Sequence, residues 1–189
     1  MKFAVLAPGE SLTREIAESV RHLPIVAVNR AHELAPWAVA LAACDKAWWR
    51  KYGAEAFAGR KFCLHKVDYR DDIERVESPQ LPMGSSSGLL GLEVAKLLGA
   101  DEIDLYGFDN RGGHFHAPHE APLRNPTPER FKVFDEQFAQ WRHANGRVRV
   151  VNRTRGSALT AFPCEPASVT VLTAGVLKND LHRGDCRRL

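Results

Sequence analysis

The sequence predicts a single α/β domain with a mostly parallel sheet and helices on both faces, and three observations predict it. Short apolar runs alternate with helical patterns along most of the chain, the arrangement that puts parallel strands under covering helices. The first of these units reads as strand, glycine turn and capped helix. Finally, 189 residues suit one domain that buries roughly 70% of its unfolded surface and is stable without staples. Three layers of this kind are Rossmann-like.

In chain order, Lys2–Ala7 is an apolar run that stops at Pro8-Gly9 and reads as a buried strand. An amphipathic stretch follows to about Arg21, with Ile16, Val20 and Leu23 at helical spacing and either Ser11 or Thr13 as its cap. Pro24–Asn29 is a second strand, Ala38–Cys44 a third strand or short helix, and Arg60–His65 a fourth strand. The polar stretch from His65 to Gly84 reads as a connection holding at most one edge strand. Ser85-Ser86-Ser87-Gly88 precedes a helix over Leu89–Leu98 that Gly99 closes. Glu102–Tyr106 alternates as a strand. Thr127-Pro128 starts a helix with Phe131, Phe134, Phe138 and Trp141 on one face. Arg147–Val151 is a further strand, followed by a turn at Asn152–Gly156 and a short helix over Ser157–Thr160. Residues 1–163 are expected to form the domain, and 164–189 a C-terminal extension with an edge strand at Ser168–Leu172 and a polar tail.

Composition excludes several classes. A net charge of +3 with scattered signs lacks the clustered basic stripe of a nucleic-acid binder but tolerates a small anionic ligand. Cys44, Cys63, Cys164 and Cys186 form no C-x-x-C pair, so a reducing, cytoplasmic setting is expected. The apolar run at the N-terminus is too short for a signal-peptide core or a membrane span. The sequence leaves oligomeric state open.

In an open parallel sheet, ligands bind beyond the carboxyl ends of the strands. Residues just after strands are therefore the candidates. Gly9 and Ser11 bring a glycine and a hydroxyl to one helix start, and Ser86, Ser87 and Gly88 do so at another, where free N–H groups favour phosphate. A Gly-Lys-Ser/Thr loop and a G-x-G-x-x-G fingerprint are both missing, which disfavours ATPase and NAD-dehydrogenase readings. The most specific feature is Gly112-Gly-His-Phe-His-Ala-Pro-His119. Its histidines suit a general base, or a metal held by His114 and His116 with His119 or Asp109.

The series Gly9-Glu-Ser11-Leu, Val28-Asn29, Ser87-Gly88 heading a Leu/Ala helix, Glu102-Ile-Asp-Leu-Tyr-Gly-Phe-Asp109, the His-x-x-x-x-His segment and Asn152…Ser157-Ala-Leu resembles the bacterial sialyltransferase-like Rossmann proteins. That group includes the small α-2,3-sialyltransferases of glycosyltransferase family 42 and, more distantly, the archaeal-type hydroxymethylpterin pyrophosphokinases. The chain also looks like short proteins of this group found in tailed-phage genomes. The resemblance spans about residues 3–163. It implies a nucleotide or nucleotide-sugar ligand contacted by Gly9, Ser11, Asn29, Ser86, Ser87, Gly88 and Ser157, with no obligatory cofactor. It implies His119 as the first candidate for general base, His114 as the second, and Asp109 beside them. Where the sialyltransferases carry tyrosines after the Gly-x-Asp strand, this chain has Asn110 and Arg111. Arg30, Arg111 and Arg124 are then the candidates for phosphate or leaving-group charge. Glycosyl transfer from a nucleotide-activated donor is the leading expectation. The alternatives are metal-dependent pyrophosphoryl or phosphoester chemistry, in which Asp109, Glu10 and the histidines hold a divalent ion, and non-catalytic binding of a nucleotide or partner.

Overall fold

The computed structural model describes residues 1–166. Seven strands, all parallel, form one sheet: β1 (Lys2–Leu6), β2 (Ile25–Val28), β3 (Ala40–Ala42), β4 (Arg60–Cys63), β5 (Ile73–Arg75), β6 (Glu102–Tyr106) and β7 (Arg149–Asn152). Their spatial order is β5-β4-β3-β2-β1-β6-β7. The chain winds outward from β1 to β5, then crosses back to lay β6 on the other side of β1. The strand order therefore reverses between β1 and β6, the place where open α/β sheets bind ligands.

Side chains alternate between the two faces as strand geometry requires. Phe3, Val5, Val26 and Val28 enter one core under α3 (Ser87–Leu97) and α4 (Pro128–Ala144). Ala4, Leu6, Ile25 and Ala27 enter the other, under α1 (Arg14–Ser19), a 3-10 turn over Asn29–Glu33 and α2 (Lys46–Tyr52). This is the expected three-layer arrangement. α3 lies close on the sheet because Gly91 has no side chain: a Cβ there would sit 2.7 Å from Val28 Cγ2.

The local signals explain most boundaries. Thr13, not Ser11, caps α1 by accepting from the Ile16 N–H. Ser86 caps α3, and Gly99 follows it at φ +97°, a conformation an L side chain resists. Thr127 caps α4 with Pro128 in its first turn. Within Ala38–Cys44 only Ala40–Ala42 forms a strand, β3, and the polar connection holds β5 as the sheet's edge. The expected helix at Ser157–Thr160 does not form. Side chains capture that segment: Ser157 Oγ accepts from Leu159 N at 3.0 Å, and Asp135 accepts from Thr160 N at 2.8 Å. The proposed edge strand at Ser168–Leu172 and the polar tail lie outside the described residues. Among those described, no helix is long and apolar enough to cross a membrane.

Candidate functional site

A cleft of about 650 Å³ opens at the carboxyl ends of the strands, over the β1/β6 reversal. That is ample for a small organic ligand. Gly9, Asn29, Ser86, Ser87, Gly88, Asp109, Arg111, His114, His119 and Arg124 line it. Ser11, Arg30, His116 and Ser157 do not appear in its wall.

The β1 and β6 loops make its floor. Gly9 N–H donates to Gly107 O at 3.1 Å, and Ser11 Oγ donates to Asp109 Oδ2 at 2.8 Å. The approach is so close that a Cβ on Gly9 would lie 2.0 Å from Asp109 Oδ2 and 2.3 Å from Gly107 O. Ser11 thus tethers Asp109 and leaves the capping of α1 to Thr13. α1 has six residues, and of the loop ahead of it Gly9 lines the cleft while Ser11 does not.

At the start of α3 the three hydroxyls are all engaged, though differently. Ser85 donates to Pro82 O at 2.6 Å. Ser86 accepts from Leu89 N at 3.1 Å and Ser87 from Cys44 N at 3.0 Å. Because those two act as acceptors, each keeps an O–H hydrogen for a ligand. Gly88 serves packing, since a Cβ would touch Phe108 Cε1 at 3.0 Å. Ser157 is likewise structural: its hydroxyl donates to Phe108 O at 2.5 Å and accepts from Asn152 Nδ2 at 2.9 Å. It latches the β7 loop to the β6 loop.

The charges divide sharply. Arg30 is held in a two-pronged pair with Glu33 at 2.6 and 2.9 Å, outside the cleft. Arg111 and Arg124 are exposed on the cleft rim. Glu10 is not among the residues lining the cleft and accepts from Gly113 N at 3.0 Å, fastening the histidine loop. The same loop pairs with β1's loop through an antiparallel bridge between Gly9 and His114 and through Phe115 N to Pro8 O at 3.1 Å.

His114, His116 and His119 meet. One ring nitrogen from each lies within 4.8 Å of the others. His114 and His116 stack with centroids 4.7 Å apart, and His119 tilts against both. His119 is fixed twice: its N–H donates to Asn125 Oδ1 and its carbonyl accepts from Asn125 Nδ2, both at 2.9 Å. Its Nδ1 lies 3.0 Å from the Tyr52 hydroxyl. Burial lowers the proton affinity of all three rings, and neighbouring rings and the Arg30 charge push further on His114, which falls to about 4. The three are therefore neutral at pH 7, with lone pairs to offer. Asp109, bound to Ser11, is not part of this group, so His119 rather than Asp109 joins His114 and His116.

Sequence reasoning missed Tyr52, Asp45 and Arg130. Tyr52 reaches His119 from the end of α2, where Trp48 and Trp49 are buried beneath it. The helix signal was present as Asp45 ahead of Lys-Ala-Trp-Trp-Arg-Lys-Tyr52. Arg130, in the first turn of α4, lines the cleft and donates to Gly84 O. An aromatic wall of Phe108, Phe131, Phe134 and Phe138 completes the side opposite the histidines' loop.

No protein-family model matches the chain, and no curated protein matches it. Among solved structures it is similar to a probable thiamine pyrophosphokinase from Staphylococcus saprophyticus subsp. saprophyticus, with 11% identity and a TM-score of 0.44. The likeness covers 79% of this chain and 63% of that one, so the chain spans less than two thirds of that neighbour's length.

Proposed function

We propose that the cleft binds a nucleotide-type phosphate ester and that the protein carries out divalent-ion-assisted phosphoryl or pyrophosphoryl transfer, or phosphoester cleavage, at its phosphates. The observation that carries this reading is the convergence of three neutral imidazoles at a cleft on the strand reversal. Around it, the Ser86 and Ser87 hydroxyls at the start of α3 suit phosphate oxygens. Arg111 and Arg124 on the rim supply positive charge, and the phenylalanine wall suits a flat heteroaromatic ring. A bound ion would orient the phosphates and offset the charge that develops on them.

Glycosyl transfer with His119 as base is the second reading, favoured by the Tyr52 hydroxyl that orients its ring. A general base works best with a pKa near the operating pH, and burial moves this ring away from that range.

Calorimetric titration with nucleoside mono-, di- and triphosphates and with nucleotide sugars, each with and without a divalent ion, tests the proposal. Binding of a nucleoside di- or triphosphate, strengthened by the ion and weakened in Arg124→Ala, is the expected result. Absence of binding by every ligand refutes it. Turnover of a nucleotide sugar that persists in chelator selects the second reading.

A further inference from the structure

We propose that His114, His116 and His119 form a three-imidazole site for a zinc-class transition-metal ion, with its open coordination position toward the cleft. This deepens the reading above by naming its ion, and rests on that reading only for the ion's part in turnover.

The tautomers are set by neighbours. His116 Nδ1 lies 2.7 Å from Ala117 O, and a carbonyl only accepts, so Nδ1 carries the proton and Nε2 the lone pair. That Nε2 is buried with no hydrogen-bond partner among the described residues. Buried polar atoms seldom lack a partner, and a metal ion supplies one. For His119, the Tyr52 hydroxyl 3.0 Å from Nδ1 can donate or accept; an ion on Nε2 selects donation from Nδ1 to the Tyr52 oxygen, the usual outer-sphere arrangement that fixes a metal-bound imidazole. Asn125 holds the same residue by its backbone.

The donor set decides the ion. Three imidazoles with no carboxylate suit Zn²⁺, Co²⁺ or Ni²⁺, whereas Mg²⁺ and Ca²⁺ take oxygen ligands. Tetrahedral Zn–N bonds of about 2.0–2.1 Å put ligand nitrogens about 3.4 Å apart. The rings, within 4.8 Å of one another, need close only a little further, and all three side chains are half-buried on a loop. The nearby Arg30 cation is neutralised by Glu33. His114 and His119 line the cleft, so a fourth ligand, water or a phosphate oxygen, approaches from there.

The test uses the full chain, freed of any purification tag and stripped with chelator. Zn²⁺ is titrated against a chromophoric chelator, and Co²⁺ is followed by its visible absorption. One equivalent of Zn²⁺ per chain and a four-coordinate Co²⁺ spectrum are expected. His116→Ala should lose more than about 100-fold in affinity, beyond the cost of losing an outer-sphere partner. His22→Ala and His143→Ala, outside the cluster, should bind as the parent does. If His116→Ala fails to fold by circular dichroism, Tyr52→Phe serves instead: stoichiometry stays at one and affinity falls roughly 10–100-fold. Failure of the parent chain to take up one equivalent overturns the proposal, as does full affinity in a folded His116→Ala. Nucleotide binding supported by Mg²⁺ without zinc uptake overturns the ion assignment and leaves the cleft reading standing.

Discussion

Replacing Gly9 with alanine tests the close contact between the β1 and β6 loops. The new Cβ would lie 2.3 Å from Gly107 O and 2.0 Å from Asp109 Oδ2, and both gaps must open to at least 3.0 Å. The carbonyl is not free to retreat, because it accepts the Gly9 N–H at 3.1 Å, and the carboxylate is held by Ser11. Overpacking of this kind costs about 1–3 kcal/mol, and a lost hydrogen bond about 0.5–1.5 more. Restricting the unfolded chain returns about 0.4–1 kcal/mol. The net loss is centred near about 2 kcal/mol, a fall in Tm of roughly 4–8 °C for a domain of this size. Scanning calorimetry and urea unfolding measure it, with Cm expected to fall while the slope stays constant. Gly146→Ala is the control: a Cβ there meets nothing within 4 Å, so Tm should hold or rise slightly. A Tm for Gly9→Ala within a degree of the parent would refute the loop contact.

Glu93 is 2% exposed and accepts from Trp141 Nε1 and Ser78 Oγ, both at 2.7 Å, with Lys96 at 2.7 Å. Glu93→Ala should cost about 3–5 kcal/mol in urea unfolding, and Glu93→Gln less, because its amide oxygen still accepts from Trp141. Asp72 is held well below the usual carboxylate range by the Arg70 guanidinium, with Lys61 assisting. Its folded pKa is depressed, so its contribution is complete at neutral pH and is lost as pH falls below about 4; Asp72→Asn should lower stability at pH 7 and flatten that acid decline. Ser157→Ala strands the buried Asn152 amide and the Leu159 N–H, costing about 1–3 kcal/mol. Nucleotide affinity should not change, and a tenfold loss at unchanged stability would make Ser157 a ligand contact after all.

How much was legible in the sequence depends on whether a feature is local. Caps and turn residues act within a few positions, so Thr127-Pro128, Ser86 and Gly99 set their helix ends as expected. The buried strands announced themselves by apolar runs. What failed was decided across the chain. Ser157 looked like a helix start, but its hydroxyl answers Phe108, 49 residues away. Ser11 and Thr13 were both open as caps, and the choice fell to Thr13 because Asp109, 98 positions on, takes Ser11. Tyr52 was invisible as a partner of His119 because 67 residues separate them. The histidine segment stood out by composition, yet the choice of His119 over Asp109 as third member needed the loop's actual path.

That path links fold to site. The histidine loop has no regular element of its own; it borrows order from β1's loop through the Gly9–His114 bridge and Phe115 N–Pro8 O, and from Glu10 through Gly113. The cluster is therefore assembled by the same seam that Gly9 keeps narrow. A substitution that pries the seam open should disturb His114 without touching a histidine. Glu10→Ala separates the two effects, because Glu10 is exposed and its removal loosens Gly113 while leaving the β1/β6 contact intact. Thermal stability should change by less than about 0.5 kcal/mol, as for most surface substitutions. Zinc affinity should nonetheless fall, because the loop must be ordered at the moment of binding. If Glu10→Ala binds Zn²⁺ as tightly as the parent, the loop's order comes from the β1 bridge alone and the carboxylate only decorates it.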